Sequence, residues 1–317
     1  MAAQSIGASA KMTLMSDRLN ARRVGVVGLG NIGGAIARNL VTDGHDVVVF
    51  DLDRGRMSAV EGASAAGSVA EVATSSTVTF TSLPDPSTVA AVAKEWASTA
   101  PVGAVLCDLS TTLPQGNQAI ERQLAATGHR FVEAPLTGGH IGAANRKLVF
   151  MVGGEEEAVA EVAPLLDSLG RATFHLGPVG AGTTMKLANS LLAFSGAIAA
   201  FEAVTLAAKA GIDVRTAVDI VKLSGPSNYF LDRGIDGINT RGRATEFSLR
   251  LAAKDALLIT ELGATDGVPT PVAGAALDFL NDAVERGLGE HDWTDLVLAA
   301  EARGGTELTI APEEEGA

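Results

Sequence analysis

The chain has 317 residues, 47% of them hydrophobic, and a formal net charge of −13. That length and apolar content support one large or two ordinary domains with real cores. The acidic balance argues against a nucleic-acid or anionic-membrane partner, since both need a basic face.

Cys107 is the only cysteine. No intramolecular disulfide can form, which suits a reducing, cytoplasmic setting. Its neighbours Val105 and Leu106 are apolar, so Cys107 reads as a packing group and not a nucleophile. The five histidines do not fall at metal-ligand spacing, and no metal site is expected. The apolar stretch from Leu187 to Ala208 comes nearest to a membrane span, but Asn189, Ser190, Ser195 and Glu202 interrupt it.

In chain order, residues 1–20 lack the compact apolar core of a secretory signal and read as a disordered extension. Val24 to Val27 is a short apolar run ending in glycines, the pattern of a buried parallel strand. Asn31 to Asp43 reads as a helix with Ile32, Ala35, Ile36 and Leu40 on one face, ended by Gly44-His45. Asp46 to Phe50 reads as the next strand, closed by Asp51. Strand-like runs continue at Thr77 to Ser82, Val105 to Leu109, Phe131 to Glu133 and Val149 to Val152, with helical stretches between them. This alternation predicts an α/β architecture over 21–182, a doubly wound, mostly parallel Rossmann-type sheet covered on both faces.

After about Gly182 the strands vanish. Thr183 to Ala210 holds no proline and one internal glycine, Gly196, so a helix of about 28 residues spanning roughly 40 Å is expected. It is apolar on most faces, which predicts burial on several sides and a role as the spine of an all-α domain over 183–301. Further helices are expected at Val214 to Leu223, Ser248 to Asp266 and Thr270 to Gly287. Asp292 and Trp293 read as capping and packing, and Tyr229 and Phe230 as candidate pocket walls. An acidic tail, 302–317, carries Glu313 to Glu315. No long linker separates the domains, so close packing with a cleft between them is expected.

Gly28, Gly30 and Gly33 stand in a GxGxxG pattern directly after a predicted strand. The first glycine permits a tight turn, the second lets backbone approach a pyrophosphate, and the third allows close helix–strand packing. The helix that opens at Asn31 and Ile32 points unpaired N–H groups at the phosphates. Asp51 ends the next strand, placed to accept bonds from adenosine ribose hydroxyls and to repel a 2′-phosphate. NAD is therefore the expected cofactor, with NADP possible because Arg54 and Arg56 follow. Lys186 begins the long helix, with Asn189 at i+3 and Ser190 at i+4 on the same side. Burial would lower the pKa of such a lysine and suit it to proton transfer. Periodicity alone favours a lysine that snorkels to solvent at the helix end.

Several motifs occur in order: GLGNIGGAIARNL (Gly28 to Leu40), SLPD (Ser82 to Asp85), DLST (Asp108 to Thr111) and EAPLTGG (Glu133 to Gly139) with Gly142-Ala143. MVGG (Met151 to Gly154), GAGTTMKLAN (Gly180 to Asn189) and AAKDALL (Ala252 to Leu258) follow. On these, the chain from Arg23 to Leu298 resembles the β-hydroxyacid dehydrogenase family. The resemblance implies an oxidoreductase that interconverts a small β-hydroxy acid and its semialdehyde or keto acid. It implies Lys186 as catalytic acid/base, with Asn189 its polar neighbour. It places the substrate carboxylate on Thr137 and the backbone N–H groups of Gly138 and Gly139. It puts Leu83 and Pro84 at the nicotinamide ribose, Thr111 at the nicotinamide end, and Lys254 on the cofactor, with Asp255 structural. It also implies a homodimer or homotetramer.

Three positions depart from the family pattern. Thr137 replaces a serine, Ser190 replaces an asparagine or glutamine, and Asn145-Arg146-Lys147 replaces smaller residues. Arg146 and Lys147 are expected on the solvated surface in preference to the substrate entrance. His140, beside the glycine loop, reads equally as a substrate contact or a structural residue. The rivals are an imine reductase on the same scaffold, a non-catalytic dinucleotide-binding protein and the larger 6-phosphogluconate dehydrogenase type. Lys186 argues against the first two, and chain length against the third.

Overall fold

The computed structural model describes residues 23–225, 238 and 240–310. The expectations for residues 1–20, for Glu313 to Glu315 and for Tyr229 and Phe230 lie outside the described residues. The chain divides into two compact units between Lys186 and Leu187.

The first unit is built on β1 (Val24–Val27), β2 (Val47–Phe50), β3 (Ser64–Ala65), β4 (Val78–Thr81), β5 (Val105–Asp108) and β6 (Arg130–Glu133). These six run parallel in the order β3-β2-β1-β4-β5-β6. That is the doubly wound dinucleotide-binding order, with its switch of direction beside β1. Valine-rich runs form these strands because both faces are buried, which removes the alternation of a half-exposed strand. Val24, Val26, Val47, Val49, Phe80, Cys107 and Val132 pack on one face with α1 (Asn31–Thr42) and α7 (Glu156–Leu169). Val48, Leu106 and Phe131 pack on the other with α3 (Val69–Ser75), α4 (Pro86–Ala97) and α5 (Pro114–Ala125). Burial pushes the Cys107 thiol well above its ordinary value, and neighbouring Asp108 adds to this, so it is an inert packing group.

Beyond β6 the sheet changes direction. β8 (Leu148–Gly154) pairs antiparallel with β6, β7 (Leu136–Thr137) pairs antiparallel with β8, and β9 (Gly170–His175) pairs parallel with β8, making a nine-stranded sheet among the described residues. The sequence located β8 but not β3, β7 or β9. β3 and β7 have two residues each, too few for a periodic signal. β9 has no buried residue and so lacks the apolar run that marks a core strand. Short helices α2 (Arg54–Ser58) and α6 (Gly139–Ala144) complete this unit.

The second unit is helical: most of α8 (Ala181–Lys209), then α9 (Val214–Lys222), α10 (Leu249–Asp266), α11 (Pro271–Ala283) and α12 (Leu296–Gly304). Its core gathers Phe201, Val204, Val218, Leu249, Phe279, Leu280 and Val297. The helix expected to reach Gly287 ends at Ala283 and gives way to a π-helical turn, Val284–Leu288, in which Gly287 takes a positive φ of 87°. Such a residue cannot continue an α-helix, and glycine adopts it without strain. Asp292 does cap, as expected: it accepts from Thr294 N at 3.2 Å and Thr294 Oγ1 at 2.7 Å.

One expectation for α8 needs correction. Burial on several sides was expected, yet Leu192 is 74% and Leu206 72% exposed. The described helices of this unit cover only part of a helix that is apolar on most faces.

Candidate active site

The glycine loop follows β1 at the carboxyl edge of the parallel sheet. Gly28 has a φ of 85°, and a Cβ there would lie 2.3 Å from Ser82 O. A Cβ on Gly33 would lie 1.9 Å from Gly28 O. Both glycines are demanded by the fold itself. Gly30 differs: a Cβ there meets nothing within 4 Å, so packing does not require glycine at that position. The missing side chain leaves the space that close approach of a pyrophosphate would need, and the loop thus fits the dinucleotide the sequence implies. Asn31 and Ile32 open α1 immediately behind it.

Asp51 is tied to this loop. Its Oδ2 accepts from Leu29 N at 2.6 Å and its Oδ1 from Asp53 N at 2.8 Å. Arg56 Nη1 stands 3.7 Å from Asp51 Oδ2, and Arg56 Nε stands 3.7 Å from Asp53 Oδ2. Arg56 is thus held between two carboxylates, while Leu52 is 93% exposed beside them.

Buried Asp108 organises the SLPD and DLST loops. Its Oδ1 accepts from Thr81 Oγ1 at 2.6 Å and from Ser110 Oγ at 2.7 Å, and Ser110 Oγ accepts from Leu83 N at 2.9 Å. Burial pushes the Asp108 carboxyl up to about 6, against the lowering effect of those two hydroxyl bonds. Leu83 is thereby fixed, Pro84 beside it is exposed, and Thr111 follows Ser110 half-buried. Asp85 caps α4; bonds from Ser87 and Thr88 hold its carboxyl down at about 2.

Thr137 ends β7, half-buried, and the exposed Gly138 and Gly139 take φ values of 122° and 61°, a pair that strongly favours glycine. His140 is half-buried next to them. Arg146 lies at the surface, its side chain 32% exposed, but it is held by the fold and not freely solvated. Its Nη1 donates to Asp43 Oδ2 at 2.7 Å and to Ser168 O at 2.9 Å, and its Nη2 donates to Asn39 O at 3.2 Å. It staples the C-terminal ends of α1 and α7, where exposed carbonyls and the helix dipole favour a cation. The sequence pattern missed this because both partner ends are more than twenty residues away in the chain. Lys147 is exposed, as expected.

The turn that carries Lys186 is held by Glu133, the last residue of β6. Glu133 Oε1 accepts from Gly180 N at 2.7 Å and Thr183 N at 3.0 Å. Its Oε2 accepts from Thr183 Oγ1 at 2.9 Å and Asn117 Nδ2 at 2.7 Å. Asn117 Nδ2 also donates to Thr183 Oγ1 at 2.9 Å, and Thr112 Oγ1 donates to Asn117 Oδ1 at 2.9 Å. A Cβ on Gly182 would lie 2.3 Å from Met151 O, and one on Gly153 would lie 2.6 Å from Glu133 Oε1. The glycines of GAGTTMKLAN and MVGG therefore let α8 start directly against β8. Lys186 and Asn189 are half-buried and Ser190 is buried.

The structure thus brings Gly28 to Gly33, Asp51, Leu83 and Thr111 to strand ends at the carboxyl edge of the sheet, and it tethers the Lys186 turn to the end of β6. Lys254 lies in the second unit with its Nζ 2.7 Å from Oδ1 of buried Asp255. Asn117, Thr183, Glu133, Asp108 and Ser110 were not singled out by residue chemistry, because each matters through partners distant in sequence.

The strand order and the glycine loop define a Rossmann-type dinucleotide-binding protein with a helical C-terminal unit. The profile of the NAD binding domain of 6-phosphogluconate dehydrogenase matches residues 23–177, and that described as NAD-binding of NADP-dependent 3-hydroxyisobutyrate dehydrogenase matches residues 180–300. The chain is 30% identical to 2-(hydroxymethyl)glutarate dehydrogenase of Eubacterium barkeri over 293 residues, covering 90% of this chain and 97% of that protein. It is 30% identical to mitochondrial 3-hydroxyisobutyrate dehydrogenase of Drosophila melanogaster, over 88% of this chain and 90% of the relative. The solved Mycobacterium tuberculosis 3-hydroxyisobutyrate dehydrogenase with L-serine superposes with a TM-score of 0.80 at 25% identity, over 87% of this chain and 98% of that one. The chain belongs to the 3-hydroxyisobutyrate dehydrogenase family of NAD(P)-dependent hydroxyacid dehydrogenases.

Proposed function

We propose that this protein oxidises a small β-hydroxy acid, or reduces the corresponding semialdehyde or keto acid, with Lys186 as proton relay. One observation carries the reading. The glycine loop leaves the end of β1, and the turn bearing Lys186 is bonded to the end of β6. Both belong to the carboxyl edge of one parallel sheet, where ligands of such folds bind.

Gly28 to Gly33 hold the pyrophosphate and Asp51 the adenosine ribose. Leu83, Pro84, Thr111 and Lys254 are assigned to the rest of the cofactor, which supplies the hydride donor or acceptor when bound. Thr137, Gly138 and Gly139 offer one hydroxyl and two N–H groups to the substrate carboxylate. Lys186 Nζ holds the proton that the substrate oxygen gives up or takes, and Asn189 orients that oxygen. An imine reductase is the rival on this scaffold, and the lysine at 186 favours the hydroxy-acid reading.

The test is a screen of small hydroxy acids with NAD and NADP, followed at the nicotinamide absorbance. Turnover is expected only with acids, and their esters or amides should show a strongly raised KM. A higher kcat/KM is expected with NAD than with NADP, narrowed by Asp51→Ala. Neutral alcohols turned over equally well would overturn the carboxylate assignment. A preference for NADP would give control of that pocket to Arg54 or Arg56.

The exposed apolar face of α8 is assigned to a second copy of the chain. The helix Ala181–Lys209 is long and apolar enough to cross a membrane by length and composition. Leu192 and Leu206 are exposed on it, and a second copy would cover them. We expect a homodimer or homotetramer by light scattering at micromolar concentration without detergent. A clean monomer, or aggregation relieved only by detergent, would overturn this assignment.

A further inference from the structure

We propose that Glu133 is a positioning residue for Lys186: it fixes the first turn of α8, and with it the atom that relays the proton. The proposal rests on the relay reading of Lys186.

A helix start leaves its first N–H groups unpaired, and a local Ser, Thr, Asp or Asn usually caps them. Before α8 the chain offers Gly180, which has no side chain to do so. The cap comes instead from Glu133, 47 residues earlier and wholly buried. Both of its oxygens are used, and all four partners donate, as suits a carboxylate that only accepts. The favourable dipole at a helix N-terminus supports a negative group there.

The local sequence therefore does not set the height and rotation of this turn; the end of a central strand does. Asn117 prevents slippage, because it donates to both Glu133 and Thr183 and is itself held by Thr112. Gly153 and Gly182 leave room for nothing else between the carboxylate, β8 and the helix. Lys186 lies three residues after Thr183, one turn on and on the same side of the helix. Loosening Thr183 moves Lys186. A displacement of about 1 Å at a reacting group is enough to cost on the order of 10²-fold in rate.

Glu133→Gln tests this. A glutamine keeps the shape but has one acceptor oxygen, so its NH₂ must face either the two backbone donors of Gly180 and Thr183 or, on the other side, the Asn117 amide donor, where only the Thr183 hydroxyl can turn to accept. The expected result is a fall in kcat of roughly 10- to 100-fold, with the NAD dissociation constant, read by fluorescence titration, within about 2-fold of wild type. If Glu133 acts through Lys186, Glu133→Gln in a Lys186→Ala background should lower the residual rate by less than about 2-fold. Thr183→Val keeps the two backbone bonds and should lower kcat only several-fold, with Thr183→Ser restoring it. This pair carries the test if Glu133→Gln does not melt cooperatively.

A loss carried in full into the Lys186→Ala background would overturn the proposal, as would NAD binding that weakens in step with kcat. Lys186→Ala at the wild-type rate would overturn the relay reading itself, and the positioning role with it.

Discussion

Lys186→Ala is expected to lower kcat by about 10²- to 10⁴-fold, the range for loss of an acid/base group, with NAD affinity nearly unchanged. The split follows from the separate tethers in the first unit. The glycine loop is held by Asp51 and by contacts with Ser82. The Lys186 turn is held by Glu133 and Asn117. Truncating the lysine at its Cβ touches none of these bonds. Substrate saturation should therefore persist while the proton has nowhere to go at neutral pH. Steady-state kinetics with a primary isotope effect on the hydride would check this. Activity within a few fold of wild type would remove Lys186 from the chemistry.

The second large effect separates two glycines of one motif. Gly33→Ala should be severely destabilising, because its methyl would stand 1.9 Å from Gly28 O, a backbone atom that no rotamer can move aside. Overpacking of a tight site costs about 1–3 kcal/mol and occasionally more, so a fall in Tm of several degrees is expected. Gly30→Ala should leave Tm unchanged in the absence of cofactor, since its methyl meets nothing within 4 Å. It should still weaken NAD binding by more than about 10-fold, as the methyl would occupy the space where the pyrophosphate must approach. Calorimetry with and without NAD distinguishes the two. Equal destabilisation by both substitutions would mean that Gly30 serves the fold and not the ligand.

Much of the architecture is legible in the sequence, for physical reasons. The run Val24 to Val27, the glycines after it and Asp51 mark β1, its turn and the end of β2 through local chemistry alone. Helix α8 is legible because a long stretch without proline has little else to become. The site is legible where a motif is contiguous, as at Gly28 to Gly33 or Thr137 to Gly139. What escapes is whatever depends on meetings across the fold. Glu133 looks like a strand-end acid until Gly180 and Thr183 arrive from 47 and 50 residues away. Arg146 looks like surface charge until the ends of α1 and α7 close around it. Asp108 reads as one letter of a motif, and its hold on Leu83 passes through the hydroxyl of Ser110.

The solitary thiol gives the molecule an internal clock. Cys107 sits in β5 with no solvent exposure, flanked on both sides by paired strands. An alkylating or disulfide reagent can reach it only when the central strands part. Its rate of labelling under native conditions therefore measures the opening of the first unit by itself. No other sulfhydryl in the chain blurs that signal, and occupancy of the glycine loop by NAD should slow the clock in proportion to binding.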